Sequence, residues 1–193
     1  MTLDWLLVPA AFLLGTFPSA LLIGALVGHD PIEEGSGNPG ATNMFRIAGK
    51  KAGLATLIFD VAKALLATLV GTWLVDETFG VVCGAAAVLG HMFPILRASR
   101  GGKGVACYGG LAIAAWPLVA LVAFVVWVGA ARISGHSFIG ALFGVPTVVV
   151  GTVVIGRPIA ETLVVALVAA VVIARHHRNI SDFLTARRSA SAD

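Results

Sequence analysis

Charge is what this sequence has least of. Ten acidic and thirteen basic side chains serve 193 residues, 12% of the chain against 58% hydrophobic. Soluble domains usually carry about twice that charged fraction, so a water-soluble globular fold is excluded for want of a surface. Cysteine is as scarce: Cys83 and Cys107 lie far apart in apolar or glycine-rich surroundings, with no CxxC spacing. A disulfide framework is therefore not indicated, and both read as small packing residues. No Lys or Arg precedes the first apolar run, where Asp4 sits instead. A cleaved secretory leader is not expected, and that run should remain as a helix. A transporter-type repeat is missing, as is any low-complexity segment before the Arg/Ser/Ala tail. The net charge of +3 is no sign of nucleic-acid binding, because the basic residues sit in the few polar gaps between apolar runs.

Those apolar runs are what the chain does have. Crossing hydrocarbon takes about 20 apolar residues as helix, since unpaired backbone groups cannot be left in lipid. Candidate spans are 3–27, 52–75, 79–96, 138–155 and Ile159–Ala174. The stretch 105–131 is either one tilted helix or two short antiparallel ones, Val105–Ala115 and 117–131, broken at Trp116-Pro117. Charge decides. With the N-terminus outside and the break real, there are about seven spans, and the gaps at 28–51, 97–104 and 132–137 share the cytoplasmic side with the tail from Arg175. That side then holds Arg46, Lys50, Lys51, Arg97, Arg100, Lys103, Arg132, Arg175, Arg178, Arg187 and Arg188. The outer gaps hold Asp76, Glu77, Arg157 and Glu161. The expected fold is an all-α integral membrane bundle of about seven transmembrane helices, its C-terminus cytoplasmic. It forms a single domain over residues 1–193, with a disordered basic tail from about 186.

Three polar gaps carry chemistry. The first runs from Glu34 to Arg46 as EGSGNPGATNMFR. Gly35, Gly37 and Gly40 free the backbone to turn N–H groups inward as an anion nest. Ser36, Asn38, Thr42 and Asn43 add neutral hydrogen-bonding groups, and Arg46 adds a fork for phosphate; a plain interhelical loop is the bland alternative. The second gap, RGGKGV at 100–105, sets Lys103 among glycines at a helix start, where backbone and ammonium can meet one anion. It is no Walker A loop, since the early glycine is missing and Gly104 follows the lysine. The third, RHHRNI at 175–180, ends the last span with His176, His177 and Asn179. Inside the apolar runs, His91 should face the bundle interior, as a site residue or a hydrogen-bonded structural one. Asp60 and Lys63 at i and i+3 read as a structural pair. Ser134 and Ser137 are within reach of the same face.

Taken together, GSGNPGATNMFR at 35–46, GGKGVA at 101–106, H-x-x-N-I at 176–180 and GTFPSALLIG at 15–24 resemble the motifs of one bacterial family. It is the acyl-phosphate:glycerol-3-phosphate acyltransferases (PlsY-type), and the resemblance covers the whole chain in order and spacing. It implies a multi-pass inner-membrane enzyme with its site at the cytoplasmic face. The implied reaction joins acyl phosphate and glycerol-3-phosphate into lysophosphatidate and phosphate, the first acylation of phospholipid synthesis. Neither metal nor other cofactor is implied, and a monomer surrounded by membrane lipid is expected. By motif, Ser36, Gly40, Thr42 and Asn43 would cradle acyl phosphate. Arg46, Lys103, His176 and Asn179 would bind glycerol-3-phosphate, with Ser137 a helper and His91 close by. Ser36, His91, Lys103 and His176 are the candidate catalytic residues. Thr16, Pro39, Cys107 and His177 depart from the family's usual residues. No Ser-His-Asp or GxSxG arrangement is present, which suits direct transfer without an acyl-enzyme. The rival is a transporter of phosphate esters or anions with the same loops as a vestibule, and a non-catalytic scaffold leaves the three loops unexplained.

Overall fold

The structure, a computed structural model, describes residues 3–95 and 101–190, so Leu96, Arg97 and Arg100 of the expected segments lie outside the described residues. Among the described residues every regular element is helical. A 3-10 turn, Leu3–Leu6, leads into α1 (Leu7–Gly15), then α2 (Ser19–Val27), α3 (Ala41–Ile47), α4 (Gly49–Leu74) and α5 (Glu77–Met92). After the second polar gap come α6 (Val105–Ala115), α7 (Pro117–Ser134), α8 (Ser137–Val154), α9 (Ile159–Ala174) and α10 (His177–Ala190).

Three helices correct or sharpen the expectations. The run 3–27 is not one rod but two, parted at Thr16-Phe17-Pro18. Pro18 lacks an N–H and its ring crowds the preceding turn, and at the break the Phe17 carbonyl takes the Ser19 N–H at 3.0 Å in place of a helical partner. The stretch 105–131 is likewise two helices. The break falls at Trp116, in an extended conformation that a residue before proline favours, and Pro117 takes the first position of α7. The third is α10, which runs from His177 to Ala190. Its Ile180, Phe183 and Leu184 recur at helical spacing and form one apolar edge.

Four helical stretches are long and apolar enough to cross a membrane: Asp4–Val27, Gly49–Leu74, Pro117–Ser134 and Ser137–Val154. Ile159–Ala174 makes a fifth with α10, from which it bends by 45°, and α5 and α6 are shorter apolar helices. The burial pattern inverts that of a soluble protein. Small residues fill the interior, among them Ala64, Ala67, Ala85, Ala87 and Cys107, while Leu26, Trp73, Leu118 and Ile133 face outward, each at least 78% exposed. Close packing on small side chains, with large apolar ones turned out, suits hydrocarbon surroundings. Helix α4 is the hub, in contact with α1, α2, α3, α5 and α6, and α7–α8–α9 close the bundle back onto α5.

Polar residues segregate to two ends. At one, Arg157 in the α8–α9 turn grips Glu161 with Nε and Nη2 at 2.8 and 3.0 Å and reaches Glu77 at the start of α5 at 2.5 Å. Thr78 donates to the same buried Glu161 at 2.9 Å. These ion-paired hydrogen bonds raise the Arg157 pKa. The three chemical gaps meet at the other end.

Candidate active site

The first loop is built around Asn43, which is 1% exposed. Its Oδ1 accepts the Ser36 N–H at 2.9 Å, and its Nδ2 donates to the carbonyls of Pro31 at 3.1 Å and Glu34 at 3.0 Å. Both amide hydrogens and one lone pair of the oxygen are engaged, so Asn43 braces the loop. Gly35 is what lets it in, with φ +65° and space in which a Cβ would sit 2.3 Å from Asn43 Oδ1. The inward nest of amides is met only in part. The N–H groups of Ser36, Gly37 and Gly40 are satisfied within the loop, the last two by the carbonyls of Glu34 and Asn38. Glu34 adds a second brace, accepting the Asp30 N–H at 2.7 Å and meeting His29 Nδ1 at 2.8 Å. The His29 bond is the larger cause of its lowered pKa, the Asp30 N–H the next. The side chains of Ser36 and Thr42 are exposed on this frame; so is Arg46, while Gly40 stands at the start of α3.

The second and third gaps are clasped together. Lys103 Nζ donates to Asn179 Oδ1, and Arg175 Nη2 donates to the carbonyls of Gly101 at 2.8 Å and Gly102 at 3.3 Å. The Arg175 guanidinium also lies over the Phe93 ring, 5.4 Å from its centroid. Burial, then the charges of Arg175 and Arg46, lower the Lys103 pKa. Arg46 and Lys103, from different loops, therefore share one electrostatic neighbourhood. His176 is 3% exposed and its Nδ1–H donates to the Val172 carbonyl at 2.8 Å, which leaves Nε2 as the lone-pair nitrogen. Burial lowers its pKa most, and the Lys103 charge adds to that, so the ring is neutral at ordinary pH. His177 is exposed and bonded to the Ala174 carbonyl at 3.0 Å. Of the two histidines, His176 is the one beside Lys103.

The other candidates divide. Ser137 opens α8 and is half-buried. Its turn touches α10 through His136 and Phe138, whose rings lie 5.1 and 5.7 Å from that of Phe183. Among the described residues, no hydrogen bond joins Ser137 to Lys103, His176 or Asn179, and Ser134 donates to the Ala130 carbonyl at 2.6 Å. His91 lies in a buried group with Asp60 and Lys63. A small open cleft joins the loops, lined by Phe17, Pro18, Ser19, Ala20, Pro39, His91 and Gly102. Sequence reasoning passed over Ser19, Lys63 and Arg175 as site parts. Ser19 lies in the GTFPS motif, Lys63 was readable as half of a structural pair, and Arg175 as a topology charge.

Asp60, His91 and Cys107 bring three donor atoms within 4.8 Å of one another, a spacing a metal could use. Lys63 Nζ, however, stands 2.9 Å from Asp60 Oδ1 and 2.8 Å from His91 Nδ1. An ammonium already fills the cation position, so these residues do not fit a metal.

The clasped loops offer several cations, neutral donors and a neutral imidazole acceptor, and among the described residues no Ser-His-Asp arrangement joins them. That is a set for holding phosphate groups while a hydroxyl attacks. A family model for glycerol-3-phosphate acyltransferase matches residues 5–186. The chain belongs to the glycerol-3-phosphate acyltransferase family. A glycerol-3-phosphate acyltransferase of Pseudomonas paraeruginosa is 37% identical over 188 residues, 95% of this chain and 97% of the relative. One from Trichlorobacter lovleyi is 37% identical over 193 residues, 98% of each chain. Two crystal structures of PlsY (YgiH), an integral membrane glycerol 3-phosphate acyltransferase, share the fold. The glycerol 3-phosphate form superposes with a TM-score of 0.89 at 34% identity, covering 95% of this chain and 93% of that one. The lysophosphatidic acid form gives 0.85 at 33%, with the same coverage. In this member of the acyltransferase family, then, the three motifs meet at one end of an apolar helical bundle.

Proposed function

We propose that the chain is an acyl-phosphate-dependent glycerol-3-phosphate 1-O-acyltransferase of the bacterial cytoplasmic membrane. The primary hydroxyl of glycerol-3-phosphate attacks the acyl carbon, an ester bond forms, and the bond from that carbon to the phosphate oxygen breaks. The products are lysophosphatidate and inorganic phosphate. The observation that carries this is the clasp of Lys103 to Asn179 beneath Arg175, with the Arg46 charge close enough to disfavour the Lys103 ammonium. An ammonium disfavoured by burial and by neighbouring cations is relieved by a dianion. Glycerol-3-phosphate is assigned to Arg46, Lys103, His176 and Asn179. The lone pair on His176 Nε2 accepts a glycerol hydroxyl, and the departing phosphate is able to take the proton. Acyl phosphate is assigned to the rim of the first loop at Ser36, Gly40 and Thr42, held in shape by Asn43. Its chain lies between helices against lipid. The protein works as a monomer without metal or cofactor, its bundle of seven spans oriented with the N-terminus outside and the site at the cytoplasmic face. That orientation is supported by the gathering of Lys103, Arg175 and Arg46 at one end and of Glu77 and Glu161 at the other.

The test offers purified protein acyl phosphate and labelled glycerol-3-phosphate, with acyl-CoA as the competing donor and EDTA in a parallel arm. Lysophosphatidate from acyl phosphate alone, unaffected by EDTA, is expected. Equal turnover with acyl-CoA, or loss in EDTA restored by Mg²⁺, removes the donor or the metal-free mechanism. Because the Pro18 break is a feature that carriers also use, flux of labelled glycerol-3-phosphate into proteoliposomes is measured alongside.

A further inference from the structure

Beneath the glycine-rich loop lies a buried polar group that takes no direct part in the proposed reaction. Ser19, Asp60, Lys63 and His91 come from α2, α4 and α5, and none is more than 7% exposed. The Lys63 ammonium has three protons and three acceptors: Asp60 Oδ1 at 2.9 Å, the Phe17 carbonyl at 3.2 Å and His91 Nδ1 at 2.8 Å. The Phe17 carbonyl, at the break before Pro18, also takes the Ser19 N–H at 3.0 Å and has a second lone pair for Lys63. Ser19 Oγ donates to the same Asp60 oxygen at 2.5 Å.

This arrangement selects a tautomer. An ammonium donates and never accepts, so Nδ1 of His91 turns its lone pair to Lys63 and the ring proton sits on Nε2. Asp60 Oδ1 is also 3.5 Å from Nδ1, but a proton placed on Nδ1 would face those of the ammonium at closer range. The far edge of the ring then meets the loop. A Cβ built on Gly102 would fall 2.1 Å from Nε2 and 2.6 Å from Cε1 of His91, so the backbone at Gly102 lies directly on the imidazole. Arg175 holds the Gly101 and Gly102 carbonyls from its own side. Lys103 is the next residue.

We propose that Lys63 and His91 are positioning residues for glycerol-3-phosphate. Lys63 fixes the His91 ring as the Nε2–H tautomer, and the ring is the floor that sets the height of Gly102 and hence the reach of Lys103. In this role His91 takes no proton from substrate. Its effect travels through Lys103, so it belongs to glycerol-3-phosphate binding and not to the acyl donor. The kinetic half of the proposal rests on the function proposed above; the tautomer does not.

Two measurements on the full-length protein in lipid test it. Solid-state ¹⁵N NMR of labelled histidine should show His91 Nδ1 as the unprotonated, pyridine-type nitrogen. Removing Lys63 alone strands the Asp60 charge in the interior, so Asp60→Asn is combined with Lys63→Met to keep the group neutral. In that variant the two tautomers should mix. The KM for glycerol-3-phosphate should rise and kcat/KM for it should fall by about a hundredfold, as a displaced positioning group costs, while the KM for acyl phosphate stays within about twofold. A protonated Nδ1 in the unmodified protein overturns the proposal. So does a folded double variant with lower thermal stability but unchanged KM for glycerol-3-phosphate, for that is what a merely structural pair predicts. If the unmodified protein transfers no acyl group, the proposed function fails while the NMR result still decides the tautomer.

Discussion

Lys103 and Arg46 reach one neighbourhood from 57 positions apart in the chain, and their joint action is the sharpest expectation at the scale of single residues. One phosphate dianion can take a guanidinium fork and an ammonium at once. Hydrogen bonds to charged groups are worth about 1.5–3 kcal/mol each. Lys103→Ala or Arg46→Ala should therefore lower kcat/KM for glycerol-3-phosphate by roughly tenfold to a hundredfold. Arg46→Lys should stay impaired, because the charge survives and the fork does not. The double alanine variant should fall short of additivity, as expected of groups sharing one partner. Near-normal kinetics in a folded Lys103→Ala protein would reduce Lys103 to a topology charge. Asn43 teaches a different lesson. Its place between Gly40 and Arg46 pointed to substrate, and the structure adds a second task, since both its amide hydrogens and one oxygen lone pair go to Pro31, Glu34 and Ser36. A motif asparagine looks the same in sequence whether it binds a ligand or holds the loop that does.

Among the helices, the turn between α8 and α9 shows how an ionic contact ties elements together far from the site. Glu161 is fully buried, and Arg157, its partner in the turn, is 25% exposed on its side chain and also bridges to Glu77 of α5. Removing one member strands a carboxylate in the interior. Arg157→Ala should cost about 3 kcal/mol, the lower end for a broken buried pair because the arginine is partly solvated. Arg157→Met with Glu161→Gln should recover much of that. Thermal unfolding in one detergent reads both, and kcat/KM below the transition should be unchanged because the cluster is at the opposite end from Lys103. A single variant as stable as the parent would show that the clasp contributes nothing net. The breaks at Pro18 and Trp116-Pro117 divide by the same standard. Both prolines are visible in sequence. Only the second coincided with a change in the count of spans, so only the second was read as a break; the first lay inside a run of the right length for one helix.

At the scale of the whole molecule, the proposed orientation makes the Ser134 turn and the Lys103 loop neighbours on one side of the membrane. Single cysteines at 134 and 103 should react with an impermeant maleimide from the same side of sealed vesicles, and one placed at 156 from the opposite side. The native Cys83 and Cys107 are at most 1% exposed and should give little background. Labelling of 134 and 103 from opposite sides would require an even number of crossings between them to become odd, and the seven-span arrangement would fall.

Composition and the spacing of apolar runs were enough to determine an all-helical protein suited to lipid, because hydrocarbon leaves the backbone almost no other choice. The glycine-rich and H-x-x-N-I segments, taken together and in order, were enough to mark the family, because flexible backbone, cations and neutral donors recur there at the family's spacing. Which of those residues touch one another was a matter for the tertiary structure. Lys103 and Asn179 are 76 positions apart, Lys63 and His91 28, Ser19 and Asp60 41, and no local pattern encodes such pairings. Asp60 and Lys63 had looked like a self-sufficient pair at i and i+3. Packing of α4 against α5 and the broken first span gave Lys63 two further acceptors. An ammonium with three protons and one local partner has to find the others across the bundle, and that need joined the pair to the loop above it.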